Sequence, residues 1–187
     1  KIAILASIAF NSRVTLGQVS AEGIRSLKPI DLAYAAEMGY VIKLLAIAQR
    51  TATGVDIRVH PTMIPKAHPL AAVNGVYNAI YVVGDAVGET MFFGEGAGSA
   101  PAASAVVGDV IEVARHLAKD CLGLVGCTCT EQLAVRDIAD LETRYYIRLR
   151  VADPGYNRAK DPRAALEVAA EPAGTHAGAE EFVQQVA

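Results

Sequence analysis

Residues 40–49, YVIKLLAIAQ, are dense in Val, Ile and Leu and carry no helix caps. Such a run reads as a strand buried on both faces or nearly so. Thr51-Ala52-Thr53-Gly54 follows as a hairpin loop. Residues 55–60 then alternate, with Val55, Ile57 and Val59 on one side and Asp56, Arg58 and His60 on the other. This predicts an antiparallel partner strand whose charged set faces out. Residues 78–83 and 89–93 repeat the arrangement around Gly84-Asp85. Strands joined by hairpins and interspersed with helices argue an α+β class: a mainly antiparallel or mixed sheet with helices packed on one face.

Three helices are expected around that sheet. Residues 1–10, KIAILASIAF, have a charged start and an apolar centre. The run is too short to span a bilayer and no small-x-small cleavage site closes it. It reads as a helix apolar on all sides, hence buried between layers. Pro29-Ile30-Asp31 opens a second helix that Gly39 stops, with Pro and Gly at the ends that suit them. Residues 102–119 form the clearest helix, with Val106, Val110, Val113 and Leu117 in one stripe. Asp109, Glu112, His116 and Lys119 make its polar face.

The connections are weaker. Pro61, Pro65 and Pro69 punctuate a crossing between strands. Residues 121–140 read as loop, then a short helix near 131–141. Residues 145–151 alternate strongly and predict a strand, stopped by Asp153-Pro154-Gly155. A weak helix is expected near 177–186.

The 187 residues, 52% hydrophobic and 20% charged, suit a folded domain with a substantial core and exclude a disordered chain. A net charge of -3 gives no electrostatic reason to expect nucleic acid or an anionic membrane as partner. Cys121, Cys127 and Cys129 suit a reducing cytosol better than a disulfide framework, and no histidine stands near them at zinc spacing.

Four groups could carry chemistry. Gly94-Glu95-Gly96-Ala97-Gly98-Ser99 lies between a strand and a helix, where backbone amides can hold phosphate oxygens. Ser99 replaces the third glycine of a dinucleotide fingerprint, so spacing alone favours a plain turn. Lys1 stands at the positive end of a helix dipole, where a proton is given up more easily. His60, His68 and His116 have no carboxylate or cysteine at metal spacing and read as surface or turn residues. Asn74-Gly75 and Asn78 read as turn chemistry.

Several segments together resemble one family, homoserine dehydrogenase. Residues 1–10 resemble the stretch that follows that family's Asp-x-x-x-Lys signature. Leu44-Leu45-Ala46-Ile47-Ala48 with Val59-His60-Pro61-Thr62 resembles its paired central strands. His68-Pro69-Leu70-Ala71 with Val73-Asn74-Gly75-Val76 and Asn78-Ala79-Ile80 is the most specific stretch. Gly94-x-Gly96-Ala97-Gly98 with residues 101–107, PAASAVV, is nearly as specific.

The resemblance implies interconversion of L-aspartate 4-semialdehyde and L-homoserine with NADP or NAD, a branch step toward threonine, isoleucine and methionine. Lys1 matches the signature's last lysine, which in the family donates a proton to the aldehyde oxygen. Gly98 matches a glycine that contacts the cofactor, with Gly96 beside it on the loop. A small-molecule substrate, a cytoplasmic location and a homodimer follow from the same likeness. The dimer would cover the two-sided apolar strand at 41–48.

Residues 1–143 then form a catalytic and dimerisation domain. Residues 144–187 form a degenerate or truncated tail resembling the first strand of an ACT regulatory domain. The family's nucleotide-binding domain precedes Lys1 and is not in this sequence. Neither is the aspartate four positions before the lysine, and Ala102 stands where the family has Thr. The chain alone is therefore expected not to turn over substrate. The alternative from the residues is a non-catalytic amino-acid-binding or oligomerisation module.

Overall fold

The hairpin anticipated at residues 51–54 organises the molecule. A computed structural model describes residues 1–121, 129–149 and 181–185. In it β2 (Tyr40–Thr51) pairs antiparallel with β3 (Gly54–Pro65), in unbroken register from Thr51↔Gly54 to Tyr40↔Pro65. Ahead of them lie α1 (Ile2–Ala9), the short β1 (Ser20–Ala21) and α2 (Pro29–Glu37). After them come β4 (Tyr77–Gly84), β5 (Gly88–Glu95), α3 (Ser99–Ala118) and β6 (Glu181–Gln185). The described strands form one sheet in the order β1-β3-β2-β6-β4-β5. β1 runs parallel to β3 and the remaining neighbours are antiparallel, so the sheet is mixed and the fold is α+β.

Side-chain parity divides the core in two. Ala46, Ala48, Val55, Ile57, Ile80 and Val82 share one face. There α1 lays down Ile2 and Ala6, and Phe10 and Val14 follow. Leu45, Ile47, Ile64, Ala79 and Tyr81 share the other face, closed by Leu70 and Val73 from the turn after β3. Leu45, Ala46, Ile47 and Ala48 of β2 are thus covered on both faces within the chain, whereas residues 41–44 are half-buried.

Several expectations are corrected. α1 is not enclosed: Ile4 and Ile8 are 66% and 63% exposed, because only one side of the helix meets the sheet. β3 runs on through Pro61 to Pro65 where a crossing was expected. The two prolines share parity, and β1 reaches only Arg58 and Val59, so their missing N–H groups can fall on an open edge. Asp56 and Arg58 are buried, not outward in solvent. The segment at 134–141 covers them, and the Arg136 guanidinium lies 3.2 Å from the Asp56 carboxylate.

That segment is not the helix expected near 131–141. It runs extended, bridging Ser12↔Glu131 and Val55↔Val135, with one helical turn at Ile138–Asp140. Residues 145–149 form no strand; side-chain bonds hold them to α2. Residues 150 and 151 lie outside the described residues. Within the helix expected at 177–186, residues 181–185 are instead a strand between β2 and β4. Pairing on both edges outweighs a weak helical preference; residues 177–180 and 186 lie outside the described set.

Gly54 is where this packing is least forgiving. Its φ is +153°, and a Cβ there would overlap the Ala134 carbonyl oxygen. That oxygen accepts the Val55 amide at 2.9 Å, and the Val55 oxygen accepts the Arg136 amide at 2.9 Å. The obstacle is backbone and cannot turn aside. Gly54→Ala is expected to cost about 2 kcal/mol of stability, read as a lower urea midpoint with unchanged slope.

Candidate functional site

Lys1 is the N-cap residue of α1. Its carbonyl accepts the Leu5 amide at 3.0 Å, and the residue is exposed. What the fold does fix is its layer: α1 packs on the Ala46/Ala48/Ile80 face of the sheet.

The glycine bend begins where β5 ends. Gly98 has φ +124° and serves as N-cap of α3, a helix of 20 residues. A residue with a Cβ is strained at that angle. Gly98 has no side chain with which to cap the first turn of α3. Gly96 lies against Asn78: a Cβ at Gly96 would come within 2.6 Å of Asn78 Nδ2. Asn78 has the parity of Ile80, the face that carries α1. Lys1 and the bend thus belong to the same side of the sheet.

The turn before β4 meets the bend at this end of the hairpin, since Tyr77 pairs with Glu95. Lys43 Nζ donates to the Val73 carbonyl at 2.6 Å and to Asn74 Oδ1 at 2.8 Å. Partial burial lowers the pKa of Lys43. Tyr77 stacks on Phe93 with centroids 4.9 Å apart. Two hollows lie elsewhere, one beside Asp56 and Arg136 and one beside Ser12 and Gln132; Lys1, Gly96 and Gly98 line neither.

The histidines serve local structure. His68 caps the turn at Pro69–Ala72 through Nδ1, which accepts the Leu70 amide at 3.1 Å, and its ring packs on Tyr81. His60 Nδ1 lies 2.9 Å from the Pro61 oxygen. His116 stands 4.0 Å from Glu112 across one helical turn. Among the described residues no three His, Cys, Asp or Glu side chains are grouped to hold a metal. No helix among them is long and apolar enough to cross a membrane.

The polar centre that sequence reading missed is at Asp31. The residue is 4% exposed on the first turn of α2. Its carboxylate accepts the Lys28 amide at 2.9 Å, the Tyr146 hydroxyl at 2.9 Å and Arg148 Nε at 2.6 Å. Burial pushes its pKa up, but these bonds outweigh burial and hold it below the usual value. Tyr146 is pushed up to about 12 by burial and by its bond to Asp31. The Pro29-Ile30-Asp31 helix start was the visible signal. A partner 115 residues away in sequence gave none.

Comparison with known proteins shows the family. The profile of a family described as "Homoserine dehydrogenase" matches residues 1–111. The chain is 49% identical over 165 residues to a homoserine dehydrogenase of Synechocystis sp., an alignment covering 83% of this chain and 38% of that one. It is 47% identical over 163 residues to the Mycobacterium tuberculosis homoserine dehydrogenase, covering 83% and 36%. Among solved structures, a homoserine dehydrogenase from Thiobacillus denitrificans superposes with a TM-score of 0.66 at 46% identity, over 72% of this chain and 32% of that one. One from S. aureus gives 0.57 at 45% identity, over 60% and 29%. The chain belongs to the homoserine dehydrogenase family, and it spans little more than a third of the length of these sequence relatives.

Proposed function

We propose that this chain is the substrate and dimerisation part of a homoserine dehydrogenase, an oxidoreductase interconverting L-homoserine and L-aspartate 4-semialdehyde. The observation that carries the reading is positional. Both α1, which Lys1 caps, and the glycine bend lie on one side of the sheet, within the residues the family profile matches.

The nicotinamide cofactor, NADP or NAD, would when bound in its reduced form, NADPH or NADH, supply the hydride to the carbonyl carbon and be left oxidised. Gly98 and the first turn of α3 fit the edge of such a group, where the amides of Ser99 and Ala100 can meet an anionic portion. Ala102 adds no hydroxyl there. The Lys1 ammonium donates its proton to the aldehyde oxygen as that oxygen gains charge, giving the alcohol. In the reverse direction the neutral amine takes the hydroxyl proton. The nucleotide is held by a further domain, so the bend acts as a lip over a cofactor bound elsewhere.

The homodimer stays in this reading, and a further surface supports it. On α3, Val106, Val110, Val113 and Leu117 are 53–62% exposed, and Phe92 and Phe93 of β5 are exposed as well. An apolar surface of that extent calls for cover by another domain or a second copy. Residues 144–187 are assigned to an ACT-like tail. The cytoplasm and the route to threonine and methionine belong to the same proposal.

The test joins this chain to a homoserine dehydrogenase nucleotide-binding domain. NADPH oxidation dependent on aspartate 4-semialdehyde is expected from the combination and not from the chain alone. A folded combination without turnover overturns the reading. With threonine, the melting temperature of the chain is expected to stay constant. A rise with threonine but none with NADPH would favour an amino-acid sensor instead.

A further inference from the structure

A side chain at Gly96 would have to displace the carboxamide of Asn78, which occupies the space. An ideal Cβ at Gly96 would lie 2.6 Å from Asn78 Nδ2 and 3.0 Å from its Cγ. Asn78 is itself held. Its amide donates to the Val76 carbonyl at 3.4 Å, and Lys43 fixes the turn carrying Val76 through Val73 and Asn74, at 2.6 and 2.8 Å. A line of contacts therefore runs from the middle of the sheet through Lys43, the 73–76 turn and Asn78 to the bend.

We propose that Asn78 is a positioning residue for the glycine bend: its carboxamide backs Gly96 and sets the direction in which Gly98 and the first turn of α3 meet the nicotinamide cofactor. The inference rests on the functional reading above. Gly96 and Gly98 have the broadest backbone freedom of any residue type. Without a fixed neighbour the bend samples many directions, and the cofactor must bind the fraction that points correctly. Asn78 restricts that sampling from the side, since the bend itself carries no Cβ at either glycine.

The experiment uses the enzyme combined from this chain and the nucleotide-binding domain. NADPH Kd is followed by its fluorescence, beside kcat, both KM values and melting temperature. Asn78→Ala is expected to raise the Kd and KM for NADPH about tenfold, with the KM for aspartate 4-semialdehyde and the melting temperature unchanged. Gly96→Ala is expected to do the same by pushing the carboxamide away. In Asn78→Ala/Gly96→Ala the new methyl fills the vacated space, and Kd returns to within about threefold of wild type. Asn78→Ser, smaller but still polar, falls between. Additive single effects, or a lower melting temperature with NADPH affinity unmoved, overturn the inference. A wild-type combination that binds NADPH but never turns over substrate overturns the functional reading instead. Variants that bind NADPH as the wild type does remove only the role of Asn78.

Discussion

Lys1→Met in the combined enzyme is expected to lower kcat for aspartate 4-semialdehyde reduction about 10³-fold, a loss of about 4 kcal/mol of transition-state stabilisation. Methionine keeps the unbranched stem and removes the proton and the charge. An aldehyde oxygen is nearly neutral in the ground state and becomes an alkoxide as hydride arrives. The ammonium is therefore worth most in the transition state, and the KM for NADPH is expected to stay within about twofold. Lys1→Arg separates the two contributions. The guanidinium keeps the charge but parts with no proton at neutral pH, so an intermediate loss is expected. A loss below tenfold for Lys1→Met would remove Lys1 from the reaction. So would a loss carried wholly in the KM for NADPH.

How much of this was legible in the residues depended on range. β2 and β3 were readable because the pattern and the turn agree within a dozen residues, and the register follows from the loop. α2 was readable from Pro29 and Gly39 at its ends. Failures came where a distant segment decided the outcome. Asp56 and Arg58 alternate with apolar residues as solvent-facing charges do, yet the 134–141 segment covers them and supplies Arg136. Residues 145–149 alternate like a strand, yet Tyr146 and Arg148 spend their polar groups on Asp31. Residues 181–185 have a weak helical preference, overruled by the open edges of β2 and β4. Of the site, the glycine bend and Lys1 were visible as motifs. The contact of Asn78 with Gly96 was not, because it crosses from one strand to the end of its neighbour.

The largest stability effect is expected at Asp31. Asp31→Ala leaves the Lys28 amide, the Tyr146 hydroxyl and the Arg148 guanidinium without their acceptor. Arg148 and Tyr146 are partly exposed and can return to water, whereas the helix start is less free to do so. A loss of about 3 kcal/mol is expected, combining a lost helix cap with the lost shared acceptor of two partly exposed donors. Asp31→Asn keeps one acceptor oxygen and loses the charge, so about half that cost is expected. The pH dependence gives an independent check. The folded-state pKa of Asp31 lies below its unfolded value of about 3.9. Its stabilisation is therefore complete above that unfolded value and is lost as pH falls through the folded one. The stability gap between wild type and Asp31→Asn is expected to be constant from about pH 5 to 8 and to close below about pH 4. Tyr146 works at the other end. With its pKa at about 12, its contribution holds below the ordinary tyrosine value of about 10 and disappears as pH rises through 12. Urea titrations across pH, with Tyr146→Phe beside Asp31→Asn, would read both limits. A gap that does not narrow in acid would mean that Asp31 acts through shape alone and not through its charge.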